Sequence, residues 1–165
     1  MVSEVNCTVP GFLGGLQDLR PLHLTEPSHG RFWTRSGLRG VILRHPSMLH
    51  LCGYVRVPKN HRFYGKKNSW NVNYEVHGGV TFLGRFPMVS KGLPSTLQLM
   101  KHHWWIGFDC GHLGDLQPGM AALLSQAGAA LPGFMDANNS IYREWGYVRE
   151  QCELLAAQIG KGVPK

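Results

Sequence analysis

Four polar side chains that can bind a metal or move a proton follow two breaks in strand-like sequence. His77 ends an alternating polar and apolar run and precedes two glycines. Asp109, His112 and Asp115 stand within seven residues, directly after an aromatic run. A sharp change from apolar chain to polar residues and glycines is typical of a scaffold that presents functional side chains on loops. If the two predicted strands are neighbours, the four side chains converge on one site.

These four side chains are ligand types that zinc, manganese or magnesium accept, so a divalent metal is one candidate cofactor. Asp109 and His112 are three residues apart, and a turn would bring both to one side. The spacing matches no strong metal signature, such as H-E-x-x-H or paired C-x-x-C. The alternative therefore stays open that Asp109 caps a turn and that the histidines bond to the backbone.

Catalysis without a metal is a second interpretation of the same residues. His77 and His112 would act as base and acid on a phosphodiester, with Asp109 or Asp115 orienting one imidazole. His77 lacks the H-x-T spacing of two-histidine phosphoesterases, because Gly-Gly-Val-Thr follows it. Nothing in the sequence lowers the pKa of Cys110, so a small buried residue is the favoured interpretation of that position.

The charge of the chain is unevenly distributed. The net charge is +7, and no Asp or Glu occurs from Pro27 through Tyr74. Such a basic span attracts phosphates, nucleotides or nucleic acid, although it can also be only a solvated face. Aromatic residues interleave with the cations and offer flat faces for a base. The alternative is that they form the core. For the adjacent Trp104 and Trp105, alternation along a strand predicts one inside and one outside.

Length and composition predict one globular domain without a membrane span. The 165 residues suffice for a core, and no apolar run approaches the roughly 20 residues that a span needs. The N-terminus does not read as a signal peptide. Four scattered cysteines without C-x-x-C favour free thiols in a reducing compartment, and hence a cytosolic protein.

The pattern of the chain predicts an α+β fold with long loops, in which a C-terminal amphipathic helix packs on a small twisted antiparallel sheet. Residues 1–47 are interpreted as an irregular arm with one short strand at 41–43, and residues 48–165 as a single α+β domain. Further strands are predicted at 49–57, 72–76, 80–83 and 104–108, and a short helix at 120–127.

The C-terminal helix has the clearest periodicity. Its apolar residues recur at spacings of three and four and so share one face; they are Trp145, Val148, Cys152, Leu155 and Ile159. Ser140 is the predicted N-cap and Gly160 the predicted C-cap. The face most plainly packs on the sheet, and a seam between two copies of the chain is the alternative.

Ordered motifs run through about two thirds of the chain, from Leu51 onward. They are Cys52-Gly53-Tyr54-Val55-Arg56-Val57-Pro58, His61, Tyr64-Gly65, Val76-His77-Gly78-Gly79-Val80-Thr81, Trp104-Trp105-Ile106-Gly107-Phe108-Asp109-Cys110-Gly111-His112-Leu113-Gly114-Asp115, Tyr142-Arg143, Tyr147-Val148, Glu150 and Cys152-Glu153. Together these motifs resemble an uncharacterised family of small bacteriophage-encoded proteins. The resemblance implies phage origin and action in the host cytoplasm. By analogy, it suggests a protein that counters host defence by sequestering or cleaving a nucleotide signal.

Three function classes follow. The leading hypothesis is a phage accessory protein that binds a small phosphorylated, nucleotide-like ligand, with nucleic acid as another anionic partner. The residues assigned to ligand binding are Tyr54, Arg56, His61, Tyr64, Lys66, Gly78, Gly79, Thr81 and Trp105. The second hypothesis is a metal-dependent or histidine-based phosphoester hydrolase, with His77, Asp109 and His112 as catalytic residues and Asp115 as a further metal ligand. The third is a structural or interaction protein, with a homo-oligomer as one form.

Overall fold

The structure, a computed structural model, describes residues 25–67, 69, 72–86, 99–128 and 140–162. Within these ranges lie one five-stranded sheet and two α-helices. The strands are β1 (His29–Trp33), β2 (Arg39–Arg44), β3 (Leu51–Val57), β4 (Phe82–Arg85) and β5 (Trp104–Asp109). The helices are α1 (Pro118–Gln126) and α2 (Trp145–Lys161), and a 3-10 turn covers Leu99–His102. The predicted α+β class, with an antiparallel sheet and a C-terminal helix, is confirmed.

All neighbouring strands are antiparallel, in the order β1-β2-β3-β5-β4. β3 therefore lies at the centre and pairs with β5 from Cys52 opposite Asp109 to Val57 opposite Trp104. The partners of β5 are therefore β3 and β4, and not the segment at 72–76 that leads to His77.

One face of the sheet packs against α2. Alternate β3 residues, Leu51, Val55 and Val57, belong to this core together with Ile106 and Phe108 of β5. The helix contributes the fully buried side chains Val148, Cys152, Leu155, Ala156 and Ile159. The three- and four-residue spacing thus buries one stripe of α2, as predicted.

A smaller apolar cluster lies on the other face. It consists of Val41, Phe86 and Trp105, with Tyr54 and Phe82 packed against it. Trp105 is fully buried here and Trp104 is buried on the helix side. The prediction that one of the two tryptophans is exposed is therefore wrong: they do point to opposite faces, but both faces are covered at these positions.

The irregular conformation predicted for residues 1–47 is wrong for residues 29–44. β1 and β2 form a hairpin there, and the predicted strand at 41–43 is the centre of β2. Thr34 closes the hairpin turn by accepting the Leu38 N–H at 3.0 Å with its hydroxyl, and Gly37 adopts a positive φ of 72°. A threonine turn with one left-handed glycine is a local signal that a search for alternation misses. Residues 1–24 lie outside the described part.

The strand predicted at 72–76 is absent, because this segment pairs with side chains of α2 instead of with another strand. The Glu75 N–H donates to Gln158 Oε1 at 2.8 Å, and Gln158 Nε2 donates back to the Glu75 carbonyl at 2.8 Å. Two residues further on, the side chain of Gln151 accepts the backbone N–H of His77 at 2.9 Å. An extended backbone satisfied by amide side chains needs no partner strand. We call residues 72–77 the strap.

Two smaller predictions shift along the chain. The strand predicted at 80–83 is β4 at Phe82–Arg85, and the helix predicted at 120–127 is α1 at Pro118–Gln126. α1 starts at a proline, a residue favoured in the first helical turn.

The ends of α2 differ from the predicted ends. The helix starts at Trp145, so Ser140 is not its N-cap, and it ends at Lys161, so Gly160 lies inside it and Gly162 is the C-cap. The carboxylate of Glu26 accepts the Trp145 N–H at 2.6 Å. A carboxylate is favoured at this position because it satisfies an open N–H and faces the positive end of the helix dipole.

No helix in the described ranges has the length and apolar composition needed to cross a membrane.

Gly53 offers a direct test of packing between β3 and α2. A Cβ added there would lie 2.5 Å from Phe108 and 2.7 Å from the Cys152 sulfur. We expect Gly53→Ala to lower the free energy of unfolding by about 1–3 kcal/mol, since overpacking displaces buried groups. Urea unfolding followed by tryptophan fluorescence measures the change. In the matched variant Gly84→Ala the new Cβ meets only Phe82, at 3.7 Å, so a loss as large as that of Gly53→Ala would refute the packing argument.

Candidate functional site

Three segments meet where β5 ends, near the N-terminal end of α2. Asp109 is the last residue of β5, and the following turn carries His112 and Asp115. The strap ends beside it in the turn at His77 and Gly78. The predicted convergence of the two glycine-containing breaks is therefore realised, although only one of them follows a strand.

His77 is held by three hydrogen bonds. Gln151 fixes its backbone, Tyr147 Oη lies 3.0 Å from its Nδ1, and Asp115 Oδ2 lies 2.7 Å from its Nε2. The His77 and Tyr147 rings meet edge to face, with centroids 5.6 Å apart. Because both ring nitrogens have partners, the orientation of the imidazole is fixed and its Nε2 points into the cluster.

Asp115 is the most enclosed member of the cluster, with a side chain that is only 1% exposed. Its Oδ1 accepts a hydrogen bond from Arg143 Nε at 2.9 Å, and its Oδ2 accepts the His112 N–H at 3.1 Å. Burial favours the neutral acid, but the hydrogen bonds from Arg143 and His77 outweigh it and keep the pKa of Asp115 below its ordinary value. The carboxylate is therefore charged at neutral pH.

His112 presents a buried ring nitrogen with no hydrogen-bond partner in the described part of the chain. This nitrogen, Nδ1, lies 3.8 Å from Asp109 Oδ1 and 3.8 Å from Asp115 Oδ2, too far for a hydrogen bond to either. A Cβ on Gly78 would overlap the His112 ring, so a glycine is required beneath it. Ligand atoms of His77, His112 and Asp115 all lie within 4.8 Å of one another.

A further histidine borders the cluster. His50 is buried, stacks on His45 with ring centroids 4.9 Å apart, and has an Nδ1 without a partner among the described residues. Burial, and then the neighbouring His45, lower its pKa, so this imidazole is neutral near pH 7. Gly111 lies between His50 and Asp109, and its N–H donates to Asp109 Oδ1 at 3.0 Å. The turn thus holds Asp109 at the border of the site.

The cysteines near the site are poor nucleophiles. Burial, followed by the charge of Asp109, raises the pKa of Cys52 to about 12. Burial and then Asp115 raise the pKa of Cys110 as well. Thiols in this state are protonated at neutral pH and act as small packing groups, as the sequence predicted for Cys110.

Several predicted ligand-binding residues lie away from this cluster. Tyr54 and Trp105 pack in the smaller apolar cluster, and Arg56 is cross-strand from Trp105 on that same face. Full burial removes Trp105 as a stacking surface for a ligand. The aromatic ring of Tyr54 contacts Phe82 and Phe86 at centroid distances of 5.5 and 4.7 Å, which indicates a packing role.

The loop after β3 lies near the opposite end of α2. His61 is buried, bonds Tyr74 Oη at 3.1 Å and sits against Gly162. Gly162 is fifteen residues beyond Tyr147, which is about 22 Å along a helix axis. Tyr64 packs near Trp104, and Lys66 accepts the indole N–H of that residue through its carbonyl, at 2.9 Å. These loop residues therefore do not share a pocket with His77.

The glycines at 78 and 79 do border the cluster. Both have positive φ, and the Gly79 N–H closes a turn on Val76 at 2.9 Å, as the sequence predicted. Thr81 is exposed and donates its N–H to the Gly107 carbonyl at 3.0 Å, which extends the pairing of β4 with β5. Of the predicted ligand-binding set, only the two glycines contribute to the site.

Sequence reasoning missed four residues of the site: Tyr147, Arg143, Gln151 and His50. Tyr147 and Gln151 are four residues apart, beside the apolar stripe of α2, so a search for polar pairs at helical spacing would have identified them. Arg143 precedes the helix and His50 precedes β3, and no local pattern marks either one.

Comparisons with protein-family models, with curated proteins and with solved structures found no match.

The charged state of Asp115 predicts a pH-dependent contribution to stability. A carboxylate whose pKa is lowered on folding stabilises the protein above its unfolded pKa, and this stabilisation is lost as the pH falls through the folded pKa. We expect Asp115→Asn to lower the unfolding free energy by about 1–3 kcal/mol at pH 7. The gap to the wild type should then shrink below about pH 4. Urea unfolding in EDTA between pH 7 and 3 measures the difference in unfolding free energy between Asp115→Asn and the wild type. A difference that does not change with pH would contradict this account.

Proposed function

We propose that His77, His112 and Asp115 bind a divalent metal ion and that the protein is a metal-dependent phosphoester hydrolase. The observation that carries the proposal is the unpartnered, buried Nδ1 of His112 beside a charged carboxylate and a second imidazole. A buried ring nitrogen without a hydrogen bond is costly, and a metal ion would supply the missing partner.

The surroundings of these residues fit a metal centre. Metal-binding histidines normally use the second ring nitrogen for a hydrogen bond that fixes the tautomer, and Tyr147 offers that bond to His77 Nδ1. Arg143 in turn holds the carboxylate oxygen that faces away from the histidines. Asp109 Oδ1, 3.8 Å from His112 Nδ1, is a fourth candidate ligand or a base for water.

Two imidazoles and a carboxylate suit zinc best, and manganese next. A metal held by three protein groups keeps a position for water and lowers the pKa of that water. In hydrolysis the oxygen of water would bond to phosphorus as the P–O bond to the alcohol breaks, and the alcohol would leave with a proton; the ion held by His77, His112 and Asp115 would supply Lewis-acid activation. Arg143 lies at the border of the site and carries the positive charge that a phosphate needs in the transition state. The chain's net charge of +7 also favours an anionic substrate.

The first experiment measures metal binding in solution. We expect one Zn²⁺ per chain by native mass spectrometry and by competition with a chromophoric chelator. His112→Ala should weaken binding by at least 100-fold, because it removes one of three ligands. His102→Ala removes an exposed histidine outside the cluster and should leave the affinity unchanged. Equal affinities for His112→Ala and the wild type would refute the centre.

The second experiment measures turnover with bis(p-nitrophenyl) phosphate as a phosphodiester probe. The proposal expects p-nitrophenol release that EDTA abolishes and Zn²⁺ or Mn²⁺ restores. Stoichiometric zinc without release of product from this probe or from a dinucleotide would retain the metal site and overturn the hydrolase.

A metal-free hydrolase is the second candidate, and the short bond between His77 and Asp115 favours it. With a proton on Nε2, His77 donates to Asp115 at 2.7 Å and accepts the Tyr147 hydroxyl proton at Nδ1. Tyr147, His77 and Asp115 then form a chain like the nucleophile, the base and the orienting carboxylate of covalent catalysis. This candidate expects turnover that EDTA leaves intact.

Tyr147→Phe separates the two candidates. If a metal is bound, loss of the hydroxyl should weaken Zn²⁺ affinity by about 10–100-fold through a less well oriented His77. In the metal-free enzyme the same change should abolish turnover with or without zinc. Circular dichroism checks the fold, and a variant with unchanged metal affinity and unchanged turnover would exclude both roles for Tyr147.

We further propose that the hydrolase is a phage protein that acts against host defence. A phosphoester hydrolase made during infection would remove a nucleotide signal, whereas the binding hypothesis would only sequester it. The resemblance in the ordered motifs is the support for a phage origin, and the anti-defence role rests on analogy with other phage accessory proteins. The turnover experiment above separates removal of the signal from sequestration.

A further inference from the structure

A second surface of the molecule concentrates positive charge around an exposed tryptophan. Trp33 of β1 is 59% exposed, although it lies within a strand. It is cross-strand from Arg39, whose guanidinium carbon lies 3.9 Å from the centroid of the indole ring. The pair therefore presents an exposed aromatic ring and a positive charge side by side.

The register of the sheet adds further cations beside this pair. β2 and β3 are antiparallel with Gly40 opposite Val55, so the next pair along brings Arg39 and Arg56 together on the same face. Arg56 is in turn opposite Trp105 of β5, and His103 lies two residues before that tryptophan, on the same side. Trp33, Arg39 and Arg56 thus lie on three neighbouring strands, and His103 directly precedes the fourth, β5; we call these four residues the basic row.

The electrostatic surroundings of His103 confirm that the row is positive. Burial is the main cause that lowers its pKa, and the charges next in effect all come from basic groups: Arg56, His102, Arg39 and Lys59. Lys59 and His102 are exposed beside the row. No described acid contributes to this environment, in contrast to Arg44, which is paired with Glu26.

We propose that the basic row binds single-stranded nucleic acid. Strands lie about 4.8 Å apart, so the row spans about 14 Å from β1 to β5. A row of that length is longer than a single phosphate group and can contact several successive phosphates of one nucleic-acid strand. The exposed indole of Trp33 can stack on an unpaired base, whereas the faces of paired bases are covered by their neighbours in a duplex. This inference does not depend on the metal centre, which lies beyond the opposite end of β5.

The test is fluorescence anisotropy with a labelled twelve-nucleotide oligothymidine in EDTA, so that no metal-dependent cleavage takes part. We expect binding that weakens with salt, because each neutralised phosphate of a single strand contributes about −0.7 to the slope of log K against log salt. Arg39→Ala should make this slope shallower by about 0.7. Trp33→Ala should weaken binding by about tenfold and leave the slope unchanged.

Lys161→Ala is the matched control, because it removes one positive charge from the end of α2, an element on the opposite face of the sheet. It should change neither affinity nor slope, and circular dichroism verifies each variant. Three results would overturn the proposal: no binding to the oligonucleotide, equal losses for Lys161→Ala and Arg39→Ala, or tighter binding to the matching duplex. Vesicles containing phosphatidylserine serve as a further probe, and binding to them alone would assign the row to a membrane surface instead.

Discussion

The buried carboxylate of Asp115 is the constraint on which the site depends. It takes hydrogen bonds from the strap through His77, from its own turn through the His112 backbone, and from the entry to α2 through Arg143. Three segments that are distant in sequence are therefore joined at one charge. A buried charge that loses a hydrogen-bond partner raises the free energy of the folded state. Displacement of any of the three segments is therefore unfavourable. Arg143 binds Oδ1 of this carboxylate, whereas Oδ2 is the oxygen that faces both histidines.

The strap keeps a fixed position although it pairs with no neighbouring strand. Glutamine side chains seven residues apart on α2 take the role that a neighbouring strand would have. The strap consequently follows the helix and not the sheet, and the position of His77 is set by the helix surface. A change of register in this segment would have to break hydrogen bonds to two side chains, so the structure fixes His77 more firmly than a free loop would.

The sequence predicted the parts of this fold that rest on local periodicity. β3, β5 and the buried face of α2 follow from alternation and from spacings of three and four, and the glycine turn after His77 follows from its composition. The hairpin of β1 and β2 does not follow from alternation, because a threonine turn closes it. The strap alternates in sequence like a strand, but glutamine side chains of α2 satisfy its backbone in place of a partner strand. The sequence also singles out His77, His112 and Asp115, which the structure brings together, whereas no local pattern marks Arg143 or His50, which only tertiary contacts place there.

The contact between Glu26 and the start of α2 links the order of assembly to the site. Glu26 and Trp145 are 119 positions apart, so the Trp145 N–H gains its hydrogen bond only when a segment distant in sequence is in place. Non-local contacts of this kind slow folding, because the chain between them has to be ordered first. Tyr147 lies in that first turn, so unfolding of the turn would break the hydrogen bond between Tyr147 Oη and His77 Nδ1. The carboxylate of Glu26 thus stabilises the helical turn from which Tyr147 holds His77.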